Sequence, residues 1–345
     1  MKIVKVGNRI VGEGHPCFVI LELGLNFKDM NEAKKLIDMG IEIGADAIKF
    51  QTFHAHTLAM KDAVLYDGRG IINQYEEAFQ SEDRLTDAFQ GEIINYAKSR
   101  GVITFSTPSH KKDIDLLNRI GVDAFKFGSD DLTNLPILKY AAKFNKPIFI
   151  SSGVANLSDI DEAIRTIREE CNDNILLFHC VTQYPAKPED MNLRSMVTLS
   201  NAFDVPVGLS DHTEGIAVSI AAAALGANMI EKHFTLSKKE DGPDNFFSME
   251  PKEMQQIISG IREVELAKGI PYKRIRKVEE EMVVNFHKSI FALNDIKKGK
   301  LITIEDVENL RPCTGIPAKY LDIVVGMTPI KDIKKGQAIQ WGDFK

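Results

Sequence analysis

The segment 207–235 runs Val207-Gly208-Leu209-Ser210-Asp211-His212-Thr213, then an alanine-rich stretch over 217–226, then Met229-Ile230-Glu231-Lys232-His233-Phe234-Thr235. A short apolar run that ends in polar residues, a helical segment and a second such run make a βαβ unit. Each strand stops on a histidine, so the unit sets two imidazoles side by side at one end of a sheet. In parallel α/β folds, binding and chemistry gather at the carboxyl ends of the strands. That makes His212 and His233 a candidate metal pair, whereas either one alone reads as a residue that merely caps a strand.

The same rhythm runs through most of the chain. Strands are predicted at 17–21, 47–50, 102–105, 124–127, 147–150 and 175–178, and helices at 31–43, 84–99, 159–170 and 252–268. With the two strands above, eight strands alternate with helices over roughly 220 residues, the arithmetic of a (β/α)8 TIM barrel. A doubly wound open sheet is the rival, but Glu22-Leu23-Gly24-Leu25-Asn26 after the first strand is a poor match to the GxGxxG dinucleotide loop. The stretch 53–81, with Leu65-Tyr66-Asp67-Gly68 inside it, reads as an inserted loop with a partial helix, of a length that tends to be functional. The chain is thus expected to form a barrel over 1–268, a linker over 269–283, basic and then acidic, and a compact β-rich module over 284–345. In that module Asp295-Ile296-Lys297-Lys298-Gly299 recurs as Asp332-Ile333-Lys334-Lys335-Gly336.

Composition narrows the partners. The 345 residues are 44% hydrophobic, enough for a substantial core, and a net charge of -6 with acids and lysines interleaved gives no reason to expect nucleic acid. Cys17, Cys171, Cys180 and Cys313 show no CxxC spacing. The longest apolar run, 216–230, is too short to span a bilayer, and Met1-Lys2-Ile3-Val4-Lys5 lacks a signal-peptide core. A soluble, cytoplasmic protein with a small-molecule partner, and with no membrane association, is expected.

If all eight strands point one way, a single rim collects Glu22, Lys49, Gln51, Thr107, Lys126, Ser129, Ser151, His179, His212 and His233. Lys49 and Lys126 with the hydroxyls of Thr107, Ser129 and Ser151 form an anion pocket. His212 and His233 can each offer a neutral nitrogen to a divalent cation and leave positions open to water and substrate. Glu22 lies across the rim as a candidate acid or base, the alternative being a structural salt bridge to Lys49.

These residues fall in ordered blocks: Glu22-Leu-Gly-Leu-Asn26, Lys49-Phe-Gln51, Ser106-Thr-Pro108, Lys126-Phe-Gly-Ser129, Ser151-Ser-Gly153, Tyr184-Pro185, Ser210-Asp-His-Thr213, Glu231-Lys-His-Phe-Thr235 and Gly242-Pro-Asp244. Over essentially the whole chain this order resembles the sialic acid synthase family, the synthases of N-acetylneuraminic, legionaminic and pseudaminic acids. The segment 284–345 resembles the antifreeze-like (SAF) domain that follows their barrel. The resemblance implies condensation of phosphoenolpyruvate with an open-chain N-acetylated mannose-type or diacetamido sugar, to a nine-carbon 2-keto acid and phosphate. Carried over by position, Lys49 faces the phosphoenolpyruvate carboxylate, and Thr107, Lys126, Ser129 and Ser151 hold its phosphate. His212 and His233 bind Mn2+, with Mg2+ or Co2+ as alternatives, and Glu22 transfers protons. Gln51, Tyr184, Ser210 and Asp244 line the sugar, and Arg311 meets its acetamido group from the partner chain of a domain-swapped homodimer. Three positions depart from the family pattern: Phe27 stands where histidine is usual, Val181 where threonine is typical, and Asp131, a further catalytic candidate, where glutamate is common. Two other readings remain open at this stage. One is a synthase acting on a 6-phosphorylated sugar, for which Lys232, Lys238 and Lys239 are the available cations; the other is a catalytically silent carbohydrate-binding homologue.

Overall fold

The structure, a computed structural model, describes residues 3–345; Met1 and Lys2, the first residues of the predicted signal-free N-terminus, lie outside the described residues. Eight strands, β1 Phe18–Gly24, β2 Ala47–Thr52, β3 Ile103–Pro108, β4 Phe125–Phe127, β5 Ile148–Ser151, β6 Ile175–Cys180, β7 Val207–Asp211 and β8 Met229–His233, close in sequence order into a parallel barrel, with β8 pairing β1. Helices cover the outside and side chains fill the inside, so the strands are buried on both faces and read as near-continuous apolar runs.

The helices bury one stripe each. In Leu157–Glu169 the buried residues are Ile160, Ala163, Ile164 and Ile167, the three-and-four spacing of an amphipathic helix, and Asn156 and Asp159 close its first turn as a capping box. Asp29 caps Met30–Glu42 by accepting from the backbone N–H groups of Asn31 and Glu32. Inside the barrel the rings of Phe105, Phe149 and Phe178 stack in succession at 4.9 and 5.8 Å between centroids. They form an apolar floor beneath the polar residues at the strand ends.

Two hairpins were not anticipated. The lead-in forms Ile3–Val6 with Arg9–Gly12, which buries Val4, Val6 and Val11. The stretch 53–81 is more than a loop with a partial helix. It holds the short helices Ala55–Leu58 and Gln74–Phe79 and, between them, an antiparallel hairpin of Val64–Asp67 with Gly70–Asn73 around a Gly68-Arg69 turn. Val64, Leu65, Tyr66 and Ile71 stay exposed in it, so no burial pattern marked the strands.

The chain divides into two compact units, Met1–Gly269 and Ile270–Lys345. Of the expected linker 269–283, all but Gly269 belongs to the second, and its helix Glu280–Phe286 runs past the expected start of the module. That unit has its own core, including Ile290, Ile296, Ile302, Val307, Ile333 and Ile339. Its regular strands are Ser289–Ala292 and Val307–Leu310, and the rest is joined by single bridges such as Ile296 with Ile333. The repeated pentapeptide is the reason for that bridge. Lys297 pairs with Asp332 at 2.8 Å while Lys334 pairs with Asp295 at 3.1 Å, and each aspartate also accepts the backbone N–H of the other copy's second lysine. Among the described residues no helix is long and apolar enough to cross a membrane.

Candidate active site

Side chains in register on adjacent parallel strands point the same way, and register builds the site. Glu22 on β1 pairs with Lys49 on β2 and with His233 on β8, and Ser210 on β7 pairs with Glu231 on β8. Lys49 Nζ accordingly lies 2.5 Å from Glu22 Oε2 and donates to Thr107 Oγ1 at 3.1 Å. Gln51 Nε2 donates to Glu22 Oε1 at 3.0 Å. The salt bridge weighed for Glu22 is therefore formed. A register shift after Glu22 puts Gly24 at φ +51°, where a Cβ would stand 3.0 Å from Asp244 Oδ2 and 3.3 Å from Glu22 Oε1. Glycine is required there both by the left-handed backbone and by the site.

Glu231 is the functional residue that sequence reasoning passed over. Its Oε1 accepts from Ser210 Oγ at 3.1 Å and lies 3.4 Å from Lys126 Nζ and 3.8 Å from Lys49 Nζ. Burial alone would raise the carboxyl, but Lys126, then Lys49 and His233, outweigh it and hold Glu231 down at about 2. Burial lowers Lys126, whose ammonium also lies over the Phe178 ring at 5.3 Å; burial also presses on Lys49, but Glu22 and Glu231 reverse the sign and raise it. Two carboxylates and two ammonium groups thus alternate across the barrel mouth.

The two imidazoles converge beside this quartet, with ring centres 5.4 Å apart. Tyr184 lies 4.3 Å from the His212 ring and Phe247 4.9 Å from that of His233. His212 Nδ1 meets the Val181 carbonyl at 3.0 Å, which leaves Nε2 to face a ligand; the contact is to backbone, so valine serves where threonine is typical. His233 Nδ1 is buried 3.4 Å from Asp244 Oδ2, out of hydrogen-bonding alignment. Two imidazoles near a carboxylate suit a divalent ion whose remaining positions are filled by water and substrate. Among the described residues no third His, Cys, Asp or Glu joins them as a ready-made metal cluster. His179 does not share the rim: its Nε2 meets the Met191 carbonyl at 2.6 Å, because neighbouring residues of a strand face opposite ways and Cys180 takes the inward place.

A cavity of about 350 Å³ opens over these groups. Lys49, Gln51, Thr107, Lys126, Ser129 and Ser151 line it, as do Asp131, Tyr184, Ser210, His212, His233 and Asp244. Burial lifts the Asp131 carboxyl to about 6, against a hydrogen bond from Asn134 at 2.8 Å. Phe27 turns away from the cavity and stacks on Phe89 in the core, at 5.9 Å between ring centres. Lys232 is buried against Asp211 at 2.8 Å, and with Thr213 and Ser219 it braces the loop that carries His212. Lys238 pairs with Glu253 and Lys239 is exposed; none of these three lysines lines the cavity. Arg311 lies in the second unit, its guanidinium 4.8 Å from the Phe286 ring. The cavity wall also takes Asp67, Arg69, Gln74 and Glu77 from the unanticipated hairpin and the helix after it.

The fold and the site together define a (β/α)8 barrel protein with a polar, charge-paired cavity at the carboxyl ends of its strands. The chain belongs to the NeuB family, which it matches over residues 36–273, and residues 287–345 match the SAF domain. It is 39% identical to the N,N'-diacetyllegionaminic acid synthase of Campylobacter jejuni, with 93% of this chain and 98% of that protein covered. It is 33% identical to the N-acetylneuraminate-9-phosphate synthase of Homo sapiens, over 86% of this chain and 84% of that one. The crystal structure of spore coat polysaccharide biosynthesis protein SpsE from Bacillus subtilis superposes with a TM-score of 0.68 at 31% identity, covering 100% of this chain and 99% of that chain.

Proposed function

We propose that the chain is a nonulosonic acid synthase that condenses phosphoenolpyruvate with an open-chain acetamido sugar of the mannose or diacetamido type. The observation that carries the reading is a concentration of unanswered polarity. Ser151 Oγ, Glu231 Oε2 and His233 Nδ1 are all buried without a hydrogen bond, and all three residues line one cavity. Buried polar atoms are normally paired, so three orphans at one place call for a polar, charged ligand. Kinship with an N,N'-diacetyllegionaminic acid synthase and an N-acetylneuraminate-9-phosphate synthase supports the choice of reaction.

In this reading Lys49 binds the carboxylate of phosphoenolpyruvate, and Lys126 with Thr107, Ser129 and Ser151 binds its phosphate. His212 and His233 hold a divalent ion, Mn2+ in the first instance, which when bound supplies Lewis-acid polarisation of the sugar aldehyde. Gln51, Tyr184, Ser210 and Asp244 orient the acceptor so that a bond forms between the enol carbon and the aldehyde carbon. Water then adds at C2, the C2–O bond to phosphorus-bearing oxygen breaks, and phosphate departs. Glu22, 2.5 Å from Lys49, takes the proton released by that water and passes it to the alkoxide left on the former aldehyde oxygen, while the remaining proton of the C2 hydroxyl leaves with phosphate. Asp131 acts as a second titrating group at the cavity wall, and Arg311 of a second copy completes the sugar site in a homodimer.

The test is phosphate release from phosphoenolpyruvate with Mn2+ and a panel of acetamido sugars, repeated with His212→Ala and Glu22→Ala. Release that depends on one sugar and on both residues is expected. Release that ignores His212 defeats the metal assignment, and no release with any sugar favours a carbohydrate-binding protein without catalysis.

A further inference from the structure

The cavity has two ends of opposite character. Lys49 and Lys126 stand at the inner end, on the strands, among hydroxyls. Beyond the strand ends Asp67, Glu77, Asp130 and Asp131 line the wall, and apart from those two lysines the one Lys or Arg among the described lining residues is Arg69. Arg69 is already engaged: its guanidinium lies 2.5 Å from Asp67 and 2.5 Å from Glu77, over the Phe246 ring at 5.6 Å. The hairpin that carries it is docked, since Gly68 N–H donates to the Tyr184 carbonyl at 2.7 Å. A Cβ on Gly68 would stand 2.9 Å from Phe246 and 3.0 Å from Pro185, so the tip has no room for a side chain.

An acceptor must present its aldehyde to the inner end, so its far carbons lie under this hairpin. We infer that the Asp67–Arg69–Glu77 set is the acceptor-selecting element, admitting a sugar that is uncharged at its far end and turning away one phosphorylated there; this rests on the synthase reading above. A terminal phosphate would meet several carboxylates and a guanidinium whose donors are paired with Asp67 and Glu77, an arrangement that selects by repulsion. Leu58 and Leu65 on the same wall offer apolar contact to acetamido methyl groups instead.

The experiment measures phosphate release for N-acetylmannosamine, its 6-phosphate and a 2,4-diacetamido-trideoxyhexose, with the wild type and with the double variant Asp67→Asn, Glu77→Gln. In the wild type, kcat/KM for the best uncharged acceptor should exceed that for the 6-phosphate by at least about tenfold, and added salt should narrow the gap because screening weakens the repulsion. The double variant frees Arg69, and should shift the ratio about tenfold toward the 6-phosphate through the acceptor KM, leaving the KM for phosphoenolpyruvate alone. Adding Arg69→Ala should cancel that shift. A wild type that prefers the 6-phosphate overturns the inference, as does a preference indifferent to both salt and the variant. If no acceptor releases phosphate, the synthase reading fails and takes this inference with it.

Discussion

At the scale of single residues, the site is governed by one carboxylate between two ammonium groups. Glu231 is ionised because Lys126 and Lys49 outweigh its burial, and a carboxyl depressed to about 2 lends stability that is fully present above its ordinary value near 4.5 and is lost as pH falls from there through 2. Glu231→Gln removes the charge and leaves two buried lysines with Glu22 alone. Breaking a buried ionic network this way costs about 3–5 kcal/mol, so the variant should melt well below the wild type at neutral pH and lose the acid-dependent decline. Its phosphate release should fall about 100-fold, as when a preorganised polar contact is deleted. Asp131 behaves oppositely. Its carboxyl is raised to about 6, so ionisation opposes folding, and its contribution fades as pH rises from about 4 through 6. Asp131→Asn should therefore be more stable than the wild type above pH 6 and should flatten the step near 6, as thermal melts between pH 4 and 8 would read out. Lys49, Lys126 and the histidines were visible in the sequence because each stands at or beside a strand end. Glu231 hid two residues before His233: the eye goes to the last residue of a strand, while the same inward face repeats every second position.

At the scale of elements, the barrel and its lid owe their form to different things. The eight strands announced themselves because both their faces are buried, whereas the hairpin Val64–Asp67 with Gly70–Asn73 pairs only with itself and keeps its apolar residues in solvent. Asp67-Gly68 between two apolar runs was the one local signal for it, a turn dipeptide without a buried face to confirm it. Since no barrel strand bonds to this hairpin, replacing 64–73 by a short glycine-serine link should leave far-ultraviolet circular dichroism nearly unchanged, while the acceptor KM rises about tenfold and the phosphoenolpyruvate KM does not move. Gly24→Ala is the contrary case. Its φ of +51° and the closeness of Asp244 and Glu22 mean that one methyl group strains the backbone and displaces the site, for a loss of about 1–3 kcal/mol and a clear fall in phosphate release. A melt unchanged by Gly24→Ala would show that the bulge is not held as tightly as that contact implies.

At the scale of the molecule, the two units carry separate cores, and the second is legible chiefly through its repeated pentapeptide, whose aspartates and lysines exchange partners around the Ile296–Ile333 bridge. What the pentapeptide could not reveal is how little regular strand surrounds it, since single bridges leave no alternating pattern. The proposed homodimer links the units functionally, and Trp341, the chain's single tryptophan, makes that testable because it lies in the second unit beside Tyr320. Ligand at about 100 times its Kd adds about 2.7 kcal/mol to the folded state it binds. For a unit the size of Met1–Gly269 that corresponds to a rise in Tm of about 5–10 °C. If Lys126, Thr107, Ser129 and Ser151 hold phosphate as proposed, inorganic phosphate should move the circular dichroism melt, which the barrel dominates, and Lys126→Ala should abolish the shift. Phosphate together with an acceptor sugar cannot react, yet in the proposed site the two would fill both halves of the cavity. If Arg311 of a second copy completes the sugar site, that pair should also raise the melt seen by Trp341 fluorescence, and Arg311→Ala should uncouple the two signals. A tryptophan transition that never responds to the sugar would leave the barrel to bind its acceptor alone, and would remove Arg311 from the site.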